Sequence, residues 1–225
     1  MLYHVITEGD DISYIPTPLG KAVLVITIIA LLAVALAFAR KKASGKVSLK
    51  LSARQLAFCA VSIALGTVLS NVKLYSFPFG GSVTLFSMLF ICLPGYWFGL
   101  GAGLITGVAY GILQLLIDPF VIHPAQLLTD YILAFSAFGL SGLFSSQKRG
   151  LIKGYLAGIV GRWIFATISG WIFFAEYAWE GWAPLPYSLV YNGIYIYTEA
   201  AVTLVILTVP YVQNAFASVK KMALE

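Results

Sequence analysis

The sequence predicts an all-α integral membrane protein with seven spans, and three observations carry that prediction. Of its 225 residues, 60% are hydrophobic and 10% are charged, against about 45–50% and about 25% in soluble domains. The mean hydropathy is +0.90. The apolar residues also fall into discrete stretches close to the roughly 20 residues that a helix needs to cross hydrocarbon. A soluble globular domain, a disordered chain and a disulfide scaffold are excluded together.

The first stretch, 22–39, carries no charge and is followed at once by Arg40, Lys41 and Lys42. A cleaved signal peptide carries its positive charges in front; here Glu8, Asp10 and Asp11 stand there, so a retained first helix is expected with its N-terminus outside. A basic connector through Lys46, Lys50 and Arg54 leads to the second span, 53–70. The third, 83–94, is short and is expected to tilt or break near Pro94-Gly95. The remaining spans are 98–117, 124–144, 151–174 and 187–212. Threading them puts eleven basic residues in inner connectors, including Lys148, Arg149, Lys153, Lys220 and Lys221, against Lys73 alone in an outer loop. That asymmetry is what the positive-inside rule demands, and it puts the C-terminus in the cytoplasm of a multi-pass cell-membrane protein.

Charges inside a span are costly and mark functional candidates. Asp130, Arg162 and Glu199 are the three. Arg162 and Glu199 each lie twelve residues from the outer ends of their helices, at a shared depth of roughly 18 Å, and are expected to form a structural ion pair. Asp130 lies six residues into its helix, roughly 9 Å deep, with no cation at that level. Gln126 shares its face one turn earlier. Asn192, Tyr187, Tyr191 and Tyr195 gather at the same outer level, with Ala166, Gly170, Phe173 and Phe174 as one stripe of the preceding helix. The loop between adds Tyr177, Trp179 and Trp182, in part an interfacial aromatic belt. Such a set suits a flat, aromatic, cationic small molecule entering from outside, with rings on its faces and a carboxylate for its charge.

Small residues tell a second story. Gly103, Gly107 and Gly111 recur at close-packing spacing, and Ala53, Ala57, Ala60 and Ala64 line the second span. Each stripe admits another helix, from the bundle or from a partner subunit. Cys59 and Cys92 sit in apolar runs and read as buried thiols. His4 and His123 are the only histidines; His123, before Pro124, reads as a helix-entry residue. Without clustered ligands or a nucleophile–base set, no metal site, catalytic residue or cofactor is expected, and no basic stripe points to nucleic acid. No phosphate-binding loop occurs, so uphill transport would draw on an ion gradient or a partner. The halves show no repeat of the kind that builds many self-sufficient transporters.

Three segments resemble one family. Gly80-Gly81-Ser82-Val83-Thr84-Leu85, His123-Pro124-Ala125-Gln126-Leu127-Leu128-Thr129-Asp130-Tyr131 and Tyr187-Ser188-Leu189-Val190-Tyr191-Asn192 are similar, in order and spacing, to the thiamine-specific substrate-binding (S) component of energy-coupling factor (ECF) vitamin transporters. The resemblance covers about 53–212 and implies a six-helix bundle, here within 51–225, plus one extra N-terminal transmembrane helix within 1–50. It implies thiamine binding from outside and docking on a transmembrane coupling protein with two ATPase subunits, the alanine stripe meeting the coupling protein. Carried over by position, Asp130 faces the thiazolium and Tyr131 follows it. Tyr187 stacks on a ring, Asn192 reads the pyrimidine, Gly170 and Trp179 fall in the pocket, and 77–81 is the loop that closes over the ligand.

The sequence departs from the family pattern where Arg-Tyr-x-x-His becomes Arg162-Trp163-Ile164-Phe165-Ala166, so a ligand-bonding histidine is Ala166. Phe174 stands where tryptophan can occur. The missing hydrogen bond is worth about 0.5–1.5 kcal/mol. Two expectations follow: thiamine held less tightly, or another flat vitamin or thiamine precursor as ligand. The competitor from a different class is a stand-alone proton-coupled transporter of aromatic cations with Asp130 as proton carrier.

Overall fold

The computed structural model describes residues 3–8, 11–17, 19 and 51–225. The predicted first span, 22–39, and most of its basic connector lie outside the described residues. Ahead of them Tyr3–Glu8 (β1) and Asp11–Pro16 (β2) pair antiparallel, a hairpin that the hydropathy pattern does not reveal.

From Ser52 onward the chain is a helical membrane bundle. Helix α1 (Ala53–Ser70) opens on a capping box: the Gln55 amide donates to Ser52 Oγ at 3.2 Å and the Ser52 amide donates to Gln55 Oε1 at 3.0 Å, which satisfies donors that a helix start leaves orphaned. Only Cys59, Ser62 and Gly66 of α1 are buried; Ala53, Ala57, Ala60 and Ala64 are all exposed on its other side. A second hairpin follows, Lys73–Ser76 (β3) against Ser82–Thr84 (β4), with a bulge between Lys73 and Tyr75.

Helix α2 (Ser87–Phe98) contains Pro94 without breaking there. The chain turns instead at Gly99, whose φ of 91° is cheap only for glycine, and α3 (Leu100–Ile117) starts at once. The expected break near Pro94-Gly95 is thus displaced by one helical turn. Helix α4 (Pro124–Phe144) changes pitch along its length: one α-turn, a wide π-turn at Leu128–Leu133, a short α segment and a tight 3₁₀ end at Ala137–Phe144. Helix α5 (Gly150–Phe173) and helix α6 (Pro184–Thr208) complete the bundle. The last predicted span runs too far, since Val209 is extended before Pro210, as a residue preceding proline prefers. Pro210–Leu224 forms a further helix, α7. Its Lys220 donates to the Ser145 carbonyl, lies 3.9 Å from the centroid of Tyr96, and has its pKa lowered by partial burial.

Among the described residues five helices, α1 and α3 to α6, are long and apolar enough to cross a membrane, and α2 is a shorter apolar helix. The glycine stripe is used inside the bundle. A methyl group on Gly103 would stand 2.7 Å from Gly139 Cα, one on Gly107 would stand 2.7 Å from Ser136 Cα, and one on Gly111 would strike the Tyr131 carbonyl. Helices α3 and α4 therefore touch backbone to backbone. Both cysteines are buried as expected, Cys92 in a core with Met88, Ile91, Phe138, Tyr155 and Ile159.

Candidate functional site

A cavity opens at the end of the bundle that carries β3 and β4, walled by α3 to α6 and roofed by 79–82. Its geometry begins with α4. His123 caps the helix, accepting from the Ala125 amide at 3.1 Å, and its ring stacks on Phe173. Three residues on, Gln126 is 1% exposed. Its amide nitrogen donates to the Phe120 carbonyl at 3.1 Å and to Asp130 Oδ2 at 2.6 Å. The wide turn over Leu128–Leu133 carries Asp130 to the cavity wall; such π-turns recur at functional sites. Tyr131 uses its hydroxyl to pin the preceding loop, accepting from the Phe120 amide at 2.7 Å and donating to the Asp118 carbonyl at 3.2 Å.

Helix α6 supplies the opposite wall. Asn192 Nδ2 donates to the Ser188 carbonyl at 2.9 Å and Ser188 Oγ at 3.1 Å, and Tyr195 donates to Asn192 Oδ1 at 2.7 Å. Asn192 also reaches the Ala166 carbonyl at 3.3 Å. Gly170 makes this approach possible: a methyl there would strike Ser188 Oγ and stand 3.1 Å from Asn192 Nδ2. Aromatic rings close the periphery, with Tyr187 5.5 Å from Tyr191 and Phe174 stacked 5.8 Å from Phe120.

Of the residues that the sequence singles out, Gln126, Asp130, Tyr131, Ala166, Gly170, Phe174, Tyr187 and Asn192 all line this cavity. Trp179 does not. It is 42% exposed and stands behind Tyr187, edge-on at 5.1 Å, so it supports a wall residue and is not itself part of the wall.

The expected ion pair between Arg162 and Glu199 does not form. Glu199 is saturated by donors from elsewhere: the Thr84 amide at 3.2 Å, Thr84 Oγ1 at 2.5 Å, Ser87 Oγ at 3.3 Å and the Met88 amide at 3.1 Å. The Arg162 guanidinium lies over the Phe135 and Phe138 rings at 4.9 and 5.5 Å and lines the cavity. Equal depth in two helices allows a pair but does not turn the side chains toward each other, and the hydroxyls and amides of β4 and the start of α2 reach the carboxylate first.

Ser82 and Thr84, which the sequence marks only as part of a family-like segment, also line the cavity, as do Ser87 and Phe120, which it does not single out. The first two were findable, since Ser82-Val83-Thr84 alternates polar and apolar at strand period. Nothing in the sequence marks Phe120.

Fold and site together define a multi-pass membrane protein of the transporter type, with a polar and aromatic cavity at one end of a helical bundle. Residues 56–218 match the family described as thiamine transporter protein, and the chain belongs to that family. The thiamine transporter ThiT of Bacillus subtilis is 32% identical over 164 residues, which is 66% of this chain and 85% of that protein. A solved structure of ThiT from Listeria monocytogenes superposes with a TM-score of 0.60 at 27% identity, covering 68% of this chain and 90% of that one.

Proposed function

We propose that the cavity binds thiamine and that the protein is the substrate-binding component of a vitamin uptake system. The observation that carries this reading is Asp130. A carboxylate offers about four acceptor positions; Gln126 takes one, and the group lies at the wall of a cavity ringed by Tyr187, Tyr191, Tyr195 and Phe174. A cation that is also flat and aromatic satisfies both features. The thiazolium charge meets Asp130, the rings lie against tyrosines, and the edge groups of the pyrimidine meet Asn192 once Tyr195 yields its hydrogen bond. Residues 77–81 form the cover.

In this reading the ligand enters from outside. The excess of lysine and arginine in the connectors at the opposite end supports that orientation, with the N-terminus outside and the C-terminus in the cytoplasm. Residues 51–225 are the binding unit. The exposed alanines of α1 are the docking face for a transmembrane coupling protein that works with two ATPases.

The test is thiamine titration of the detergent-purified protein, followed by tryptophan fluorescence. Saturable binding in the submicromolar range is expected; folded protein that does not respond overturns the reading. For the docking face, Ala57→Trp is expected to abolish uptake in cells while leaving the titration unchanged. Loss of binding would assign that alanine to bundle packing.

A further inference from the structure

Glu199 is 3% exposed and belongs to none of the contacts assigned to the ligand, yet it holds four donors from the segment that leads from the roof of the cavity into α2. Those donors fall on both sides of Phe86: Thr84 in β4 before it, Ser87 and Met88 in α2 after it. Phe86 has φ 59°, a left-handed conformation that a bulky side chain keeps only when its surroundings dictate it. It also occupies the N-cap position of α2 with no side-chain oxygen to offer. The carboxylate of α6 supplies the missing cap across 111 residues of sequence, where a negative charge suits a helix N-terminus.

The same helix grips the roof a second time. Tyr191 accepts from the Gly81 amide at 3.1 Å and donates to the Pro78 carbonyl. Tyr191 and Glu199 are eight residues apart, about 12 Å along a helix; Gly81 and Thr84 are three apart, about 10 Å along a strand. The two grips are therefore in register, and β4 runs along α6 held at each end. At the upper grip the strand comes so close that a methyl on Gly81 would stand 2.7 Å from the Tyr191 hydroxyl.

We infer that Glu199 is a positioning residue for ligand retention: it clamps β4 and the start of α2 onto α6, fixes the Phe86 bend, and thereby holds the roof over the cavity. It acts through Thr84 and Ser87, both on the cavity wall. This rests on the reading of the cavity as a thiamine site, but the clamp itself can be observed without ligand.

The experiment places spin labels at Leu74 and Glu180, both exposed, in the full chain, and measures their distance distribution with and without thiamine. Thiamine dissociation is followed in parallel by fluorescence. Glu199→Gln puts an amide where donors converge. It is expected to broaden the ligand-free distribution and to speed release about tenfold, the effect of losing a hydrogen bond to a charged group. Thr84→Val, which removes one hydroxyl and little volume, is expected to act in the same direction to a smaller degree. Combined with Glu199→Gln it should add less than its effect alone. Asp130→Asn should leave the ligand-free distribution unchanged. Unaltered distances and release in both Glu199→Gln and Thr84→Val overturn the inference. If Glu199→Gln fails to fold, an inert Thr84→Val overturns it alone. If the parent protein binds no thiamine, the functional reading fails while the distances still decide the clamp.

Discussion

The cavity has two unlike walls. On one side α3 and α4 meet through Gly103, Gly107 and Gly111, with no side chain between the backbones. On the other, β4 meets α6 through the hydroxyl of Tyr191 and the carboxylate of Glu199. The first contact is close-packed and has nothing that can swing aside. The second consists of side-chain hydrogen bonds, each of which can release separately. A bundle built this way is expected to open on the α6 side. Damage to the glycine wall should therefore appear as lost folding, and damage to the hydrogen-bonded wall as altered binding by folded protein.

The largest effect expected from a single methyl lies in the glycine wall. Gly111→Ala drives that methyl into the Tyr131 carbonyl, and overpacking of this kind costs about 3 kcal/mol. The variant should lose most of its yield and melt well below the parent in detergent. A normal melting curve with weakened thiamine binding would erase the distinction between the walls. Next comes Asp130→Asn, which leaves Gln126 a partner but removes the charge. Thiamine affinity should fall by roughly a hundredfold, about 3 kcal/mol, in protein of parental stability, while a neutral analogue loses far less. Equal losses for both ligands would show that the carboxylate acts only as a hydrogen-bond acceptor.

The glycine wall and the Asp130 carboxylate are legible in the sequence for different reasons. Gly103, Gly107 and Gly111 repeat at one helical face, and a periodic pattern identifies a contact even when its partner is unknown. Asp130 stood out because a lone carboxylate in an apolar run is expensive. Glu199 looked equally expensive, and depth alone suggested Arg162 as its partner. What depth cannot supply is rotation about the helix axis, or the hairpin, whose short strands leave almost no trace in a hydropathy profile. Trp179 shows the same limit: a loop aromatic can point into a site or brace a residue that does, and here Trp179 stands edge-on behind Tyr187. The helix α7 was hidden because its amphipathic turns follow an apolar span without a polar gap, and only Pro210 marks the joint.

Gly170→Ala tests whether tight packing near the hydrogen-bonded wall behaves as binding or as folding. Its methyl would strike Ser188 Oγ and crowd Asn192 Nδ2, and both side chains have other rotamers to adopt. The cost is expected at about 1–2 kcal/mol, seen as a roughly tenfold weaker Kd with little change in melting. Ala166→Gly, which crowds nothing, serves as the control. Should Gly170→Ala melt like Gly111→Ala, the rigid wall extends across α5 and the movable part shrinks to the hairpin.

The smallest effect belongs to the outermost tie. Lys73 of the hairpin donates to Asp118 at 2.6 Å, with side chains 40% and 64% exposed. Exposed pairs contribute about 0.2–1 kcal/mol, because water screens the attraction and two long side chains lose freedom in forming it. Lys73→Ala should therefore speed thiamine release by no more than about fivefold, and the difference from the parent should vanish near 1 M salt, where the screening length is about 3 Å. The buried clamp at Glu199 is shielded from that screening, so the release rate of Glu199→Gln should stay salt-independent. If salt instead abolishes both effects, the hairpin is held by long-range charge and the in-register grip of α6 contributes little. If it abolishes only the Lys73 effect, the roof is secured from its base, where Thr84 meets Glu199, and its tip is free to move first.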